Sequence, residues 1–380
     1  VTVQDNRVHD NTTAGNGGGL RAWGTDLHVL GNDFRNNTAV QGGGVFYCSE
    51  RELNDAAARL GVRGRPTADP TVIVRDNEIR DNVAQDRGGG VWLSARWNYE
   101  EPVCANNRIR GNRAARGGGL WVGEAQVRGN FIADNQAIGE GGGLFLPTIF
   151  HDYYRVVENN IICRNTAAAG GGVCLGMDNL IGGYNAALNN NTIAHNTAPV
   201  GAGVHLAGPH GLIYLRNCLI THNGPGAGLT KGATGVDLDI AYCNSYGNTG
   251  GDYTGVSNPT GQRGNLSLDP LYVDAANNDY HLQSQAGRYN AATGRWVTDA
   301  LTSPAIDSGD PEADWSQEPL PNGGYVNMGA YGNTREASKS FRRLLTDQAP
   351  NPSAVDVSVD TKIHLTFRWN VYQDSVRPRF

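Results

Sequence analysis

Asn107-Arg108-Ile109-Arg110-Gly111-Asn112-Arg113-Ala114-Ala115-Arg116-Gly117-Gly118-Gly119-Leu120-Trp121-Val122 is one copy of a unit that recurs through much of the chain. Each copy sets two asparagines five residues apart, then a glycine triplet, then an aliphatic, variable, aliphatic triad. Sister copies are Asn32…Asn37 with Gly42-Gly43-Gly44-Val45, Asn77…Asn82 with Gly88-Gly89-Gly90-Val91, Asn130…Asn135 with Gly141-Gly142-Gly143-Leu144 and Asn160…Asn165 with Gly170-Gly171-Gly172-Val173. Asn6…Asn11 with Gly17-Gly18-Gly19-Leu20 precedes them, and Asn191…Asn196 with Gly201-Ala202-Gly203-Val204 and Gly226-Ala227-Gly228-Leu229 follow in weakened form. A period in the twenties without helical patterning is the mark of stacked coils.

Within a copy, Asn-x-Ile-x-x-Asn reads as one short strand with its apolar third residue inward. The triad after the glycines reads as a second strand, its first and third residues inward. Asparagine tolerates the left-handed backbone of a sharp corner, and its amide can bond to the same asparagine one coil away. Glycine permits positive φ and close backbone approach. The expected fold is all-β: a right-handed parallel β-helix of about nine or ten coils. A calcium-binding β-roll is excluded, since Leu20-Arg21, Val45-Phe46 and Val91-Trp92 stand where its aspartates would be.

Composition agrees. Gly is 52 of 380 residues, charged residues are 18 % and the formal net charge is −6, so no nucleic-acid partner is indicated. No run of apolar residues is long enough for a membrane-spanning helix, and a monomer is expected. Val1 already lies inside a repeat, which reads as a mature segment or fragment.

One step is irregular. Between Gly42 and Gly88 there is a single asparagine pair, so this is one coil with an insertion at about 49–70. Ser49-Glu50-Arg51-Glu52 is a capping-box pattern ahead of Leu53–Leu60 with Gly61 as the stop, predicting a short helix at about 50–60. Smaller excursions at 94–103 and 147–157 leave at the same place in the repeat, so all three should rise along one edge and wall a groove. The domain reading is coils over 1–250, an irregular end of the β-helix over 251–340, then a linker and β segment over 341–380, read as a truncated β-sandwich domain.

Six cysteines occupy the chain, and only Cys218 and Cys243 share a repeat position, each five before an asparagine. They should be stacked neighbours, as a buried thiol ladder or as one bridge. No CxxC and no Cys/His cluster with zinc spacing appears, so no metal site is indicated. Asp274–Asp279 has enough oxygens for a Ca²⁺ turn, but Asx turns use the same residues and the plain turn is preferred. No cofactor is expected.

Past residue 250, Gly264-Asn265-Leu266-Ser267-Leu268-Asp269-Pro270-Leu271-Tyr272-Val273-Asp274 leads to Asn278-Asp279-Tyr280-His281-Leu282. Ser303-Pro304-Ala305-Ile306-Asp307-Ser308-Gly309-Asp310-Pro311 and Asn327-Met328-Gly329-Ala330-Tyr331-Gly332 follow. These words in this order resemble the C-terminal segment of bacterial secreted right-handed parallel β-helix proteins of the pectate-lyase-like fold. The coils are more loosely similar to the repeats of bacterial polymorphic outer-membrane adhesins. The resemblance implies a secreted or cell-surface location in a bacterium and a β-helix fold. It implies no single reaction, because that fold hosts lyases, hydrolases, epimerases and adhesins.

Function is sought in the middle residue of each glycine-strand triad, which faces away from the core. That row is Arg21, Phe46, Trp92, Trp121, Phe145, Cys174, His205. Its four successive aromatics, at about 4.8 Å per coil, make a strip about 14 Å long. Such strips bind something when exposed, and a polysaccharide along the axis would meet one ring per coil. The competing reading is that the insertions cover these rings as a satellite core. Trp97 and Tyr99 extend the candidate sugar-binding set. Catalytic groups would come from the walls: Glu101 with Glu124 as a glycoside hydrolase pair at roughly 5–9.5 Å, or His151, Asp152, Tyr153 and Arg155 as base and charge-neutralising groups of a polysaccharide lyase. Neither set forms a recognisable motif. Two function classes stay open: a surface β-helix protein that binds or cleaves polysaccharide along the aromatic row, and a non-catalytic adhesin or stalk.

Overall fold

The computed structural model describes residues 1–48, 71–94, 102–147, 154–176, 185–208, 210–232 and 235–341. Val1–Arg342 forms one compact unit, and Arg343–Phe380 another; the latter, with the expected linker and β segment, lies outside the described residues. So does the helix expected at about 50–60.

The first unit is a parallel β-solenoid. Three sheets of nine strands each run its length, joined by a shorter four-stranded sheet. One coil shows the order: Val72–Arg75 in a leading sheet, Glu78–Arg80 in an asparagine sheet, Val83–Arg87 in the short sheet and Val91–Ser94 in a glycine sheet. The sequence reading had two strands per coil. It missed the leading and short-sheet strands. The short-sheet strands send only one small residue to the inside, Ala39, Ala84, Ala114 or Ala137 in successive coils, and one alanine gives no period-2 signal.

Register is held coil to coil. Val45, Val91, Leu120, Leu144, Val173 and Val204 are paired in line and fully buried. Phe34, Ile79, Ile109, Ile132, Ile162 and Ile193 form a second inward column. Each such side chain contributes roughly 1.5–3 kcal/mol by leaving water.

The two asparagines do at the corners only part of what was expected. They stack as ladders: Asn82 donates Nδ2 to Asn112 Oδ1 at 3.0 Å, and Asn112 donates in turn to Asn135 Oδ1 at 3.0 Å. Each also donates back one coil, Asn112 Nδ2 to the Ile79 carbonyl at 2.9 Å. The left-handed backbone, however, belongs to the residue before each ladder asparagine. Asp76, Asn106, Asn159 and Asn190 have φ of 61°, 54°, 54° and 50°, and Asp81, Asp134 and Arg164 have φ of 56°, 58° and 53°. The bend sits one residue earlier so that the amide itself can lie along the stack, where it satisfies buried backbone groups that the corner leaves out of the sheets.

The glycine corner is a question of space. Gly117 turns at φ 62°. At Gly118 a Cβ would fall 2.5 Å from the Gln136 backbone and 2.6 Å from the Gly142 carbonyl oxygen of the next coil. Neither backbone can retreat while the coils remain stacked.

The last segment does not prolong the solenoid axis. After Tyr253–Thr254 and a bridge from Asn244 to Leu266, the chain folds back along the outer face of the asparagine sheet. Tyr280 and Ala330 pack on Ala133, Ile161, Cys163 and Ala194. Leu282, Ala305, Ile306 and Met328 pack on Leu219. Corner asparagines of three successive coils hold it. Asn159 donates to the carbonyls of Ala330 and Gly332 at 3.0 and 2.7 Å, Asn190 donates to that of Asn327 at 3.0 Å, and Asn217 accepts from the amides of Asp310 and Gly329 at 2.7 Å each. The words that stand out in the sequence are therefore docking residues. In Asp279-Tyr280-His281-Leu282, Tyr280 and Leu282 meet the coils while His281 stacks on Tyr331 and bonds Asp279 at 2.6 Å.

Candidate functional site

The aromatic row exists, and it points away from the core. Val45 and Tyr47 belong to the interior of the coil, and Phe46 between them belongs to a separate cluster with Cys48, Trp92, Trp121, Phe145 and Cys174. The rings are stacked like coins. Phe46 and Trp92 are 4.4 Å apart at 9°, and Trp92 and Trp121 are 5.0 Å apart at 8°. In-register pairing of identical positions dictates this geometry. Arg87 lies over Trp121 and Arg116 over Phe145 at 5.7 and 5.9 Å, cation–π contacts that cap the row from the short sheet.

The row is not an open strip. Phe46, Trp92 and Trp121 are each 5 % exposed and Phe145 is sealed, so a sugar chain has no access to Trp121 or Phe145 as flat platforms. Its N-terminal end is different. A cleft of about 210 Å³ opens there, lined by Asn16, Arg21, Trp23, Gln41, Phe46, Cys48 and Trp92. Trp23 is 49 % exposed, with the Arg21 guanidinium 5.0 Å above its ring. The indole N–H of Trp92 is buried and has no acceptor among the described residues. The sequence reading named Arg21 in the row but gave Trp23 no role, because it stopped at the triad Leu20-Arg21-Ala22; Trp23 is the next residue, pairs with Cys48 and lies on the outward side with Arg21. In this first coil it is exposed.

The proposed wall residues fall into two groups. Glu101, His151, Asp152, Tyr153, Trp97 and Tyr99 lie outside the described residues. Glu124 and Arg155 are described, and both are buried. Arg155 pairs with Ala186, a core residue. The register of Val127 with Val157 runs it beside Ala125, one residue from Glu124. These two therefore belong to the packed corner between the glycine and leading sheets, instead of an exposed groove wall.

Further along the row the stacking brings together three residues that no spacing rule joins. Glu140 ends the short-sheet strand Gln136–Glu140, Cys174 follows Phe145 in the row, and His205 follows Cys174. Their ligand atoms all lie within 4.8 Å of one another, with Cys174 Sγ 4.0 Å from His205 Nδ1. Burial, with the nearby Glu140 charge, pushes the Cys174 thiol well up, while Arg116 pulls the other way. Burial also lowers His205, keeping its imidazole neutral. The sequence offered one signal, the row ending in Cys174 and His205. Glu140 was invisible because the strand that carries it was not foreseen.

All six cysteines are buried and free. Cys218 and Cys243 stand in the first asparagine ladder, as a thiol pair and not as a bridge. The Asp274–Asp279 turn is a short 3-10 helix over Ala275–Asn277, with Asp274 accepting from the Asn277 amide at 3.3 Å and side chain at 2.7 Å; these bonds are those of an Asx-type turn.

A family model described as right handed beta helix region matches residues 71–249. A second, described as disaggregatase related, matches residues 212–309, which take in the last coils and part of the docked segment. No curated protein and no solved structure matches the chain. With the solenoid described above, the chain has a right-handed parallel β-helix fold.

Proposed function

We propose that this is an exported, surface-acting β-helix protein that binds polysaccharide at the open end of its aromatic row. The cleft of Arg21, Trp23, Phe46 and Trp92 carries this reading. Its volume is below the roughly 300–1,000 Å³ of drug-sized pockets, so it suits one ring of a longer chain. Trp23 supplies an open indole face, and Arg21 a partner for hydroxyl or carboxylate oxygens. The description disaggregatase related over 212–309 is compatible with action on the material that holds an aggregate together.

Binding is favoured over cleavage. A glycosidase needs two carboxylates at its site, and the described lining of the cleft contains none. This agrees with the second reading, a non-catalytic adhesin or stalk whose coils present a sugar-binding end.

A polysaccharide panel, offered to the purified chain in depletion and glycan-array formats, tests the reading. Retention of at least one polysaccharide is expected, with about tenfold or greater loss in Trp23→Ala and Arg21→Ala. Trp315→Ala, at another exposed tryptophan in the docked segment, should bind as the parent does. Failure to bind any polysaccharide, or equal binding by all variants, would overturn it.

A further inference from the structure

We propose that Glu140, Cys174 and His205 form a transition-metal site, with Zn²⁺ the fitting ion. Three coils each contribute one ligand, Glu140 from the end of the short-sheet strand and Cys174 and His205 from the outer face of the glycine sheet. With Zn–S near 2.3 Å and Zn–N near 2.0–2.1 Å, a tetrahedral site sets sulfur and nitrogen about 3.5 Å apart. The 4.0 Å from Cys174 Sγ to His205 Nδ1 needs a closure of about half an ångström, within reach of small side-chain rotations.

The donor set selects the metal. One thiolate, one imidazole and one carboxylate suit Zn²⁺ and its spectroscopic stand-in Co²⁺, and do not suit Ca²⁺ or Mg²⁺, which take oxygen ligands. Charge agrees as well. Thiolate plus carboxylate balance a divalent cation, so the complex is neutral where an isolated buried charge would be costly. Three protein ligands leave a fourth position for water or a substrate oxygen, the arrangement of open rather than closed zinc sites. Gly232 keeps the far side of the imidazole clear, since a Cβ there would lie 3.0 Å from His205 Nε2. Binding forms the metal–sulfur bond and releases the Cys174 S–H proton to solvent, so affinity must fall as pH falls.

The test is Co²⁺ titration of the reduced, metal-free full chain, followed by Zn²⁺ competition. One equivalent of Co²⁺ should give a thiolate-to-cobalt charge-transfer band that Zn²⁺ abolishes. Outer-shell changes already cost metal sites 10–100-fold. Glu140→Gln and His205→Gln, which alter the less buried members, should therefore weaken binding at least about tenfold. Cys174→Ser should remove the charge-transfer band, while Cys163→Ser and Cys104→Ser retain it. Should Cys174→Ser fail to fold, the two other variants decide alone. A band that survives in Cys174→Ser, affinity unchanged in both Glu140→Gln and His205→Gln, or no stoichiometric binding would overturn the proposal.

Discussion

Cys218 occupies the rung above Asn191 and copies its hydrogen bonds. Cys218 Sγ lies 3.1 Å from the Leu188 carbonyl oxygen and 3.3 Å from that of Arg216. Asn191 Nδ2 reaches the equivalent carbonyls of Val157 and Asn189 at 2.7 and 3.0 Å. The cysteine thus substitutes for the donor half of an amide. It lacks the strong acceptor half, which in the rung below takes the Asn160 amide at 3.1 Å and its side chain at 3.0 Å on Asn191 Oδ1. Cys243 is the next rung, and its own amide donates to Asn265 Oδ1 at 3.0 Å, where the ladder resumes.

Joint replacement Cys218→Asn with Cys243→Asn should therefore complete the ladder and stabilise the chain. At about 0.5–1.5 kcal/mol per added hydrogen bond, the double variant should unfold at higher denaturant midpoint with the same slope. A lower midpoint would show that the thiols pack better than amides there, and would refute the copy argument.

Asn112→Leu tests the ladder from the other side. The substitution removes the acceptor for the Asn82 amide and side chain at 3.0 Å each, and the donor to the Ile79 carbonyl. Each buried group left without a partner costs about 1–3 kcal/mol, so a loss of several kcal/mol is expected in chemical denaturation. A loss below 1 kcal/mol would mean that water or a rearranged corner takes over.

The split between what was legible and what was not follows from the stacking. Gly117–Gly119 and Asn112 repeat, so the coil, its register and the outward direction of Trp92 and Trp121 could all be read from spacing. Burial of those rings stood as one of two open readings, because spacing gives direction and does not decide cover. The turn of the chain back onto Ala133 and Ile161 was equally hidden, since Tyr280 and Met328 carry no sign of which coil they meet. Glu140, Cys174 and His205 share no local motif; only superposing coils brings them together. The left-handed residue was assigned one position late because the asparagine is what repeats, whereas the residue that bends varies from coil to coil, as Asp76, Asn106, Asp134 and Arg164 show.

Gly118→Ala and Gly15→Ala separate glycine as a spacer from glycine as mere abundance. The first would drive a methyl group to within 2.6 Å of backbone in the next coil. The second meets only Thr13 Oγ1 at 3.6 Å, an ordinary contact. Gly118→Ala should be insoluble or destabilised by more than about 2 kcal/mol, as over-packing against immobile backbone requires. Gly15→Ala should stay within about 1 kcal/mol of the parent. Equal thermal midpoints for the two variants would contradict the spacing argument.

Glu318 should give the docked segment a pH-dependent hold. It is buried, and its Oε1 accepts from the amides of Asn327 and Asn333 at 2.8 and 2.9 Å, whereas Oε2 has no hydrogen-bond partner among the described residues. Burial pushes its carboxyl up from 4.5 to about 7; the two amide bonds pull down and the Asp307 charge adds to the rise. A carboxyl whose folded value exceeds its unfolded one keeps its proton longer in the folded chain, so stability is greatest below about 4.5 and declines as pH rises to about 7. The gap corresponds to about 3 kcal/mol. His281, raised against its burial by Asp279 and Glu336, adds a loss of the same sign on crossing the usual histidine range. Glu318→Gln keeps an acceptor for both amides and carries no charge. Urea unfolding of the two proteins should therefore coincide near pH 5 and separate by pH 8, with the glutamine variant the more stable. If the parent is the more stable at pH 8, the carboxylate is better accommodated than its burial allows, and the assignment of Glu318 as the titrating group is wrong.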